Sequence, residues 1–262
     1  MVRYLRLYGY FIRFAFSRAM EFRFDFFFRI VMDMAYYAIN IAFFKVIYNH
    51  VNEIAGWNEG QVMVFVAGYL FVDAVQMTIF ANNNWAFPYL VNKGDLDYYL
   101  VRPVSTYFFI NFRDFAANSF LNLVMTVGIL AWAIGQCGVP LGAGAIALYI
   151  LLLIGGAFVH QAMQQLFLIP VFWAQRVEGL RSLAWGTTQL GERPHQVYNT
   201  FVRRMVLSFL PAGLIASLPA TILFAGPSIP LLGNFFGVLI LYQLLVLAFW
   251  RVGLRAYSSA SS

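Results

Sequence analysis

Charge is scarce in this sequence. Only 11% of its residues are Asp, Glu, Lys or Arg, whereas soluble domains carry roughly 25%. That scarcity excludes an ordinary water-soluble domain and a disordered chain alike. Cysteine is almost missing: Cys137 stands alone, so neither an internal disulfide nor a cysteine-based metal site can form. The three histidines are scattered, and no His-Glu-x-x-His pair, nucleophile elbow or Gly-rich Lys-Ser/Thr phosphate loop occurs. Any energy source is therefore outside the chain or is an ion gradient. A cleavable signal peptide is also absent by pattern, because arginines run from Arg3 to Arg29 with no short apolar core and small-residue cleavage site behind them.

What is present is hydrophobicity, at 61% of residues and a mean hydropathy of +0.71. Six segments have about the 20 apolar residues that a bilayer crossing needs: Phe27–Tyr48, Gln61–Ala81, Phe115–Ile134, Ala143–Trp173, Val206–Ala225 and Leu231–Trp250. The fourth is long enough to tilt or to project beyond the bilayer. Basic residues alternate between the breaks. Arg3, Arg6, Arg13, Arg18, Arg23 and Arg29 precede or enter the first segment; the break at 48–60 has none; the next has Lys93, Arg102 and Arg113. The break at 135–142 has none, the fourth has Arg176, Arg181, Arg193, Arg203 and Arg204, 226–230 has none, and the tail has Arg251 and Arg255. All 17 basic residues except Lys45 follow this alternation. It places both termini in the cytoplasm by the positive-inside rule. The net charge of +6 thus follows topology and anionic head groups rather than nucleic acid. The fold expectation is an all-α polytopic membrane protein forming one domain over 1–262.

Residues 1–25 read as an N-terminal interfacial helix. Arg3, Arg6 and Arg13 share one arc, with Leu5, Tyr8, Phe11 and Ile12 elsewhere. Asp25, Arg29 and Asp33 stand one turn apart and form a ladder of opposite charge. Trp57, Trp132, Trp85, Trp173 and Trp250 all fall near span boundaries, as aromatic belts do.

Chemistry within the spans is sparse. Asp73, with Gln76 nearby, is the deepest isolated acid. It is either functional or hydrogen-bonded to Asn40, Asn118 or Asn122 as glue between helices. His160, Gln161, Gln164 and Gln165 make two i, i+4 polar pairs that line a path or pack helices. Pro211 and Pro219 make the fifth segment a candidate for a broken or re-entrant span.

The loop at 84–105 contains Gly94-Asp-Leu-Asp-Tyr-Tyr-Leu-Val-Arg-Pro-Val-Ser105. A helix from about Trp85 to Asn92 ends at Gly94, Asp95 caps a second turn, and Arg102-Pro103 stops it. The second large break, 174–205, contains Glu192-Arg193-Pro194 and Tyr198, followed by Phe209-Leu210-Pro211. Together with six spans and a basic aromatic N-terminal helix, these strings resemble bacterial ATP-binding-cassette permeases of the type-2 exporter class. The likeness covers nearly the whole chain.

The resemblance implies a non-catalytic transport subunit in the inner membrane. It pairs with a second six-span permease, a related chain or itself, above a cytoplasmic ATPase dimer that binds ATP and Mg. This chain itself holds no cofactor. The resemblance also implies a coupling helix that docks on the ATPase, carried by Tyr89, Leu90, Gly94, Asp95, Leu96, Asp97, Tyr98, Tyr99, Leu100, Arg102 and Pro103. Leu96, Tyr98, Tyr99 and Leu100 are its packing anchors. The implied cargo is amphiphilic, lipid-linked or drug-like. The alternative is a carrier driven by an ion gradient, using Asp73 or His160. Asp33, Asp73, Gln76, His160 and Gln164 are the candidate pathway or packing residues in either case.

Overall fold

The computed structural model describes residues 2–20, 23–174 and 178–258. Among them the only β pairing is an isolated bridge, Ile54–Trp57; everything else is helix and connection. Five helices have the length and hydropathy to cross a membrane: α2 Arg23–Tyr48, α3 Glu59–Ile79, α7 Ala117–Gln136, α8 Ala143–Leu168 and α12 Ile229–Ala256. α3 is the central one. It is apolar nearly all round, Asp73 and Gln76 apart, which suits a helix surrounded by others, and 72% of its span is buried against 11% for α2. α7 and α8 cover it, with α2 and α11 (Ser217–Ala225) beside them. The start of α3 is fixed locally: Asn58 Oδ1 accepts from Gln61 N at 2.9 Å, and Gln61 Oε1 accepts from Asn58 N at 3.0 Å. This reciprocal cap satisfies two of the otherwise orphaned donors at the helix N-terminus.

The fifth expected span is not one helix. Residues 206–225 divide among α10 (Thr200–Leu207), a turn, a 3₁₀ segment at Ala212–Leu214 and α11. At 1.5 Å per residue the nine residues of α11 reach about 14 Å, too short for a hydrocarbon core of ~30 Å. Pro211 lies just before the 3₁₀ segment, and Pro219 sits in the first turn of α11, where a missing N–H costs least. The non-helical stretch is tolerated because it is inside the protein: Ala212, Leu214, Ile215, Ala216, Ser217 and Leu218 have no exposed surface. Of the six expected spans, five are long apolar helices, and the fifth in chain order is broken and buried, as its two prolines signalled.

At the arginine-bearing end lie α4 (Ala81–Lys93), the short α5 (Asp97–Leu100) and α6 (Thr106–Phe112). α4 stops at Gly94, whose φ of +80° is left-handed and favours glycine. Asp95 does not cap α5: Leu96 holds the cap position and no side chain bonds there. α1 (Val2–Ala19) docks on α6 through one stripe. Tyr4 meets Phe108 at 4.8 Å, Tyr8 meets Phe112 at 5.9 Å, and Phe11 meets Phe109 at 5.2 Å, all edge to face. Arg3, Arg6 and Arg13 stay exposed together with Leu5, Tyr10 and Phe14, an arrangement suited to a membrane surface.

Two tryptophans depart from the belt pattern. Trp57 is buried against Phe65 and Phe224. Trp250 is buried between Phe87, Tyr107 and Phe172. Trp132 remains exposed, and the Lys45 ammonium lies 5.8 Å from its ring centroid. The one lysine that broke the charge alternation therefore sits over an aromatic face. The side chains of Asp25 and Arg29 lie outside the described residues, so the charge ladder does too. Its third member, Asp33, accepts a hydrogen bond from the Asn122 amide of α7.

Candidate functional site

A buried amide cluster lies where α3, α4, α6 and α8 meet. Gln161 is at its centre. Its Oε1 accepts from Gln76 at 2.9 Å and from Asn84 at 3.0 Å, and its Nε2 donates to Asn84 at 3.1 Å and Asn111 at 2.9 Å. Gln165 adds a bond to Asn84 at 2.8 Å. All five side chains are buried. In an apolar surrounding an amide without partners is expensive, so the cluster fixes how the four helices meet. His160 and Gln164 turn the other way, toward α9 (Glu178–Gln189). Gln164 Nε2 donates to Thr188 Oγ1 at 3.1 Å, and the Thr188 hydroxyl lies 3.4 Å from His160 Nε2.

Against this cluster opens a cavity of about 380 Å³. Its walls come from α2 (Tyr36), α3 (Tyr69, Asp73, Gln76, Met77), α4 (Asn84, Trp85), α8 (His160, Gln164, Leu168) and α9 (Glu178, Arg181, Trp185, Thr188), with Glu192 beyond. Four of the five candidate pathway residues thus share one wall system: Asp73, Gln76, His160 and Gln164. Asp33 is not among them. None of the asparagines expected beside Asp73 bonds to it. Asn40 donates to Tyr36 O, Asn118 accepts from Ser119 N, and Asn122 pairs with Asp33.

The second large loop carries Glu192 to the cavity by a close backbone approach. A Cβ on Gly191 would stand 2.8 Å from Ala212 O, so glycine lets the chain lie against the 3₁₀ segment, with the Tyr69 ring of α3 in ordinary contact. The Tyr198 hydroxyl secures the turn by donating to Leu190 O at 3.0 Å. Burial pushes the Glu192 carboxyl above its ordinary pKa, opposed by Arg193 beside it. Past Pro194 the loop is pinned to α11. His195 N donates to Ser217 Oγ at 2.8 Å, the His195 Nδ1 lies 2.6 Å from the same oxygen, and Gln196 Nε2 donates to Thr221 Oγ1 at 2.8 Å. Burial, helped by Arg203, pushes the His195 imidazole pKa down to about 4.

The residues expected at the coupling loop divide between two faces. Leu90 and Leu96 are buried in the protein's own core. Tyr99 turns inward, its ring tilted against Phe109 at 5.0 Å between centroids and its hydroxyl accepting a hydrogen bond from Arg113. Tyr89, Tyr98, Leu100, Arg102 and Pro103 are exposed, as are Trp85 and Val101, while Asp95, Asp97 and Gly94 are half-buried. Arg102 is held against this surface by Nε donating to Tyr98 O at 3.2 Å, with its guanidinium 5.3 Å from the Phe109 ring centroid.

A family described as ABC-2 family transporter protein matches residues 34–261. That is most of the chain, from α2 through α12. The chain belongs to the ABC-2 transporter family. It is a permease, the membrane subunit of a transporter class that works with ATP-binding-cassette ATPases. No curated protein and no solved structure matches it.

Several site residues of the permease lacked a local sequence signal. Asn84 and Asn111 do not stand out in a string of asparagines and aromatics, although each makes a buried amide contact with Gln161. Tyr36 and Tyr69 look like ordinary span aromatics, yet both line the cavity. The i, i+4 spacing of His160–Gln164 and Gln161–Gln165 did signal two polar faces on α8, but it could not say which helices meet them.

Proposed function

We propose that this permease is the membrane subunit of an ATP-driven exporter of an amphiphilic, lipid-linked or drug-like molecule. A separate ATPase docks on α4–α5 and on the second cytoplasmic loop. The observation that carries this reading is the double role of α4. It exposes Trp85 (64%) and Tyr89 (56%) beside the exposed Tyr98 and Val101, and its Asn84 is bonded to Gln161 of α8 at the cavity wall. A push on the exposed face therefore reaches the cavity through a rigid helix. A partner that grips this face differently with and without ATP shifts the transmembrane arrangement by that difference in binding. ATP and Mg bind in the ATPase.

The arginine-bearing end is cytoplasmic in this reading, and the membrane is the bacterial inner one. α2 exposes Val31, Met34, Ile39 and Phe43, an apolar face open to lipid or to the second permease of the pair. The family resemblance favours a related second chain.

The test is co-expression with the ATPase, comparing wild type with the Tyr98→Ala/Leu100→Ala double variant. Assembly weakens, or substrate-stimulated ATP hydrolysis falls, in the variant. Unchanged assembly and turnover reject the docking assignment. A gradient-driven carrier is the competing reading, because Asp73 and His160 line one cavity. Proton- or sodium-dependent flux in liposomes without an ATPase decides for it.

A further inference from the structure

We propose that the cavity between α3, α4, α8 and α9 is a binding site for an amphipathic organic cation. The inference rests on the chain being a transport subunit for amphiphilic cargo and supplies the sign of the cargo's charge.

The first argument is an excess of acidic over basic side chains in the wall. Among the described residues Asp73, Glu178 and Glu192 line the cavity with Arg181 and the His160 imidazole, and Arg193 stands beside Glu192. Arg181 is already engaged at the lip: its guanidinium lies 4.4 Å from the Trp85 ring centroid and donates to Trp85 O at 3.3 Å. Asp73 and Glu192 form no salt bridge among the described residues. Carboxylates in a cavity this close to an apolar core attract a counter-charge strongly, because little water is there to screen them.

The second argument is an unpaired acceptor. Gln76 is only 4% exposed. Its Nε2 is committed to Gln161, yet its Oε1 has no partner and the side chain lines the cavity. A buried acceptor of this kind calls for a donor from a ligand.

The third argument is the wall material. The rings of Tyr36, Tyr69, Trp85 and Trp185 surround the acids, and aromatic faces are the usual partners of organic ammonium groups. Met77 and Leu168 extend the wall for an apolar body. The volume of about 380 Å³ is that of a small-molecule pocket. A bare metal ion does not fit this chemistry: no cluster of three His, Cys, Asp or Glu side chains able to hold one occurs among the described residues.

The test uses two probes of one apolar frame and opposite charge, 4-phenylbutylammonium and 4-phenylbutanoate; the ammonium also carries N–H donors for Gln76 Oε1. Their binding to the full-length permease in nanodiscs, with no ATPase present and uptake by empty nanodiscs subtracted, is measured by equilibrium dialysis and by quenching of tryptophan fluorescence. The ammonium binds at least about tenfold more tightly than the carboxylate. Glu192→Gln and Asp73→Asn each reduce that preference severalfold, and Glu192→Gln serves alone if the variant within α3 does not fold. Equal affinity for the two ions in wild type, or a preference that survives every variant that folds, overturns the proposal. Because the ATPase is absent, this outcome is separate from that of the docking variant: intact ammonium preference with unaltered coupling in Tyr98→Ala/Leu100→Ala would reject the docking assignment and leave the cation site standing.

Discussion

Asn84 and Gln161 exchange two hydrogen bonds, of 3.0 and 3.1 Å, across the junction of α4 and α8. A pair that uses donor and acceptor on both sides holds one relative orientation and penalises every other. The three further amides around it extend that constraint to α3 and α6. The connection from the exposed loop to the cavity wall is therefore polar and directional, within a bundle otherwise held by apolar packing.

Gln161→Leu keeps the volume and removes all four of these bonds from Gln161. It leaves Asn84, Asn111 and Gln76 short of partners. The expected cost is about 2–4 kcal/mol, since unsatisfied buried groups cost more than the bonds themselves contribute in membranes. A thermal melt of the purified permease measures it, and an unchanged midpoint refutes the cluster's structural weight.

The span pattern was readable because it depends on composition and length alone, and α2, α3, α7, α8 and α12 lie where the apolar runs are. The break in the fifth run was signalled by Pro211 and Pro219. Partner choice was not readable. Asn122 was available to Asp73 or Asp33 by depth, and only the packing of α7 against α2 assigns it to Asp33. Leu96 and Tyr98 are two positions apart in one short loop, yet one is buried and the other 69% exposed. The Leu96 N–Leu90 O hydrogen bond, which returns the chain to α4, and the packing of α5 on α6 decide that, and no local pattern encodes it.

Gly156 and Gly144 lie on the same helix and predict opposite outcomes. A Cβ at Gly156 would stand 2.3 Å from the backbone oxygen of Ile215, whereas at Gly144 nothing lies within 4 Å. Gly156→Ala forces α8 away from the broken segment and costs about 1–3 kcal/mol or more. Gly144→Ala is neutral or slightly stabilising, by helix propensity. Melting both variants side by side checks the approach of α8 to residue 215; equal behaviour contradicts it.

Acid should loosen the second loop through His195. Its folded pKa, about 4, lies below the ordinary 6.5. Between those values the unfolded chain binds a proton that the folded chain refuses. Stability is therefore complete above pH 6.5 and declines as pH falls toward 4, by at most ~3 kcal/mol. His195→Asn retains an acceptor for the Ser217 hydroxyl without a titrating group. Its stability profile is expected to be flatter over that window than the wild-type profile, and parallel profiles argue against the histidine as the cause.

Asn83 and Arg18 both meet Asp114, with unequal consequences. Asn83 is buried; its Nδ2 donates to Ile79 O and Asp114 O, and its Oδ1 accepts from Asp114 N. Arg18 makes a 2.8 Å salt bridge to Asp114 with half of its side chain in solvent. Asn83→Ala is expected to destabilise by about 2–3 kcal/mol, and Arg18→Ala by no more than ~1 kcal/mol. A reversed order in denaturation experiments would show that the ion pair, rather than the asparagine, holds the loop before α7.

The broken segment at 206–225 also constrains biosynthesis. Nine residues of helix and an irregular backbone cannot be released into lipid as an independent unit. The segment has to wait for α8, whose Gly156 receives Ile215, and for α3, against which α11 packs. Membrane insertion of this chain is therefore not a simple succession of helices. Nascent chains arrested through a C-terminal extension long enough to bring α12 clear of the ribosome should show 206–225 protected from protease only when α3 and α8 are intact. Residues 206–225 are thus seated by helices that are made long before them.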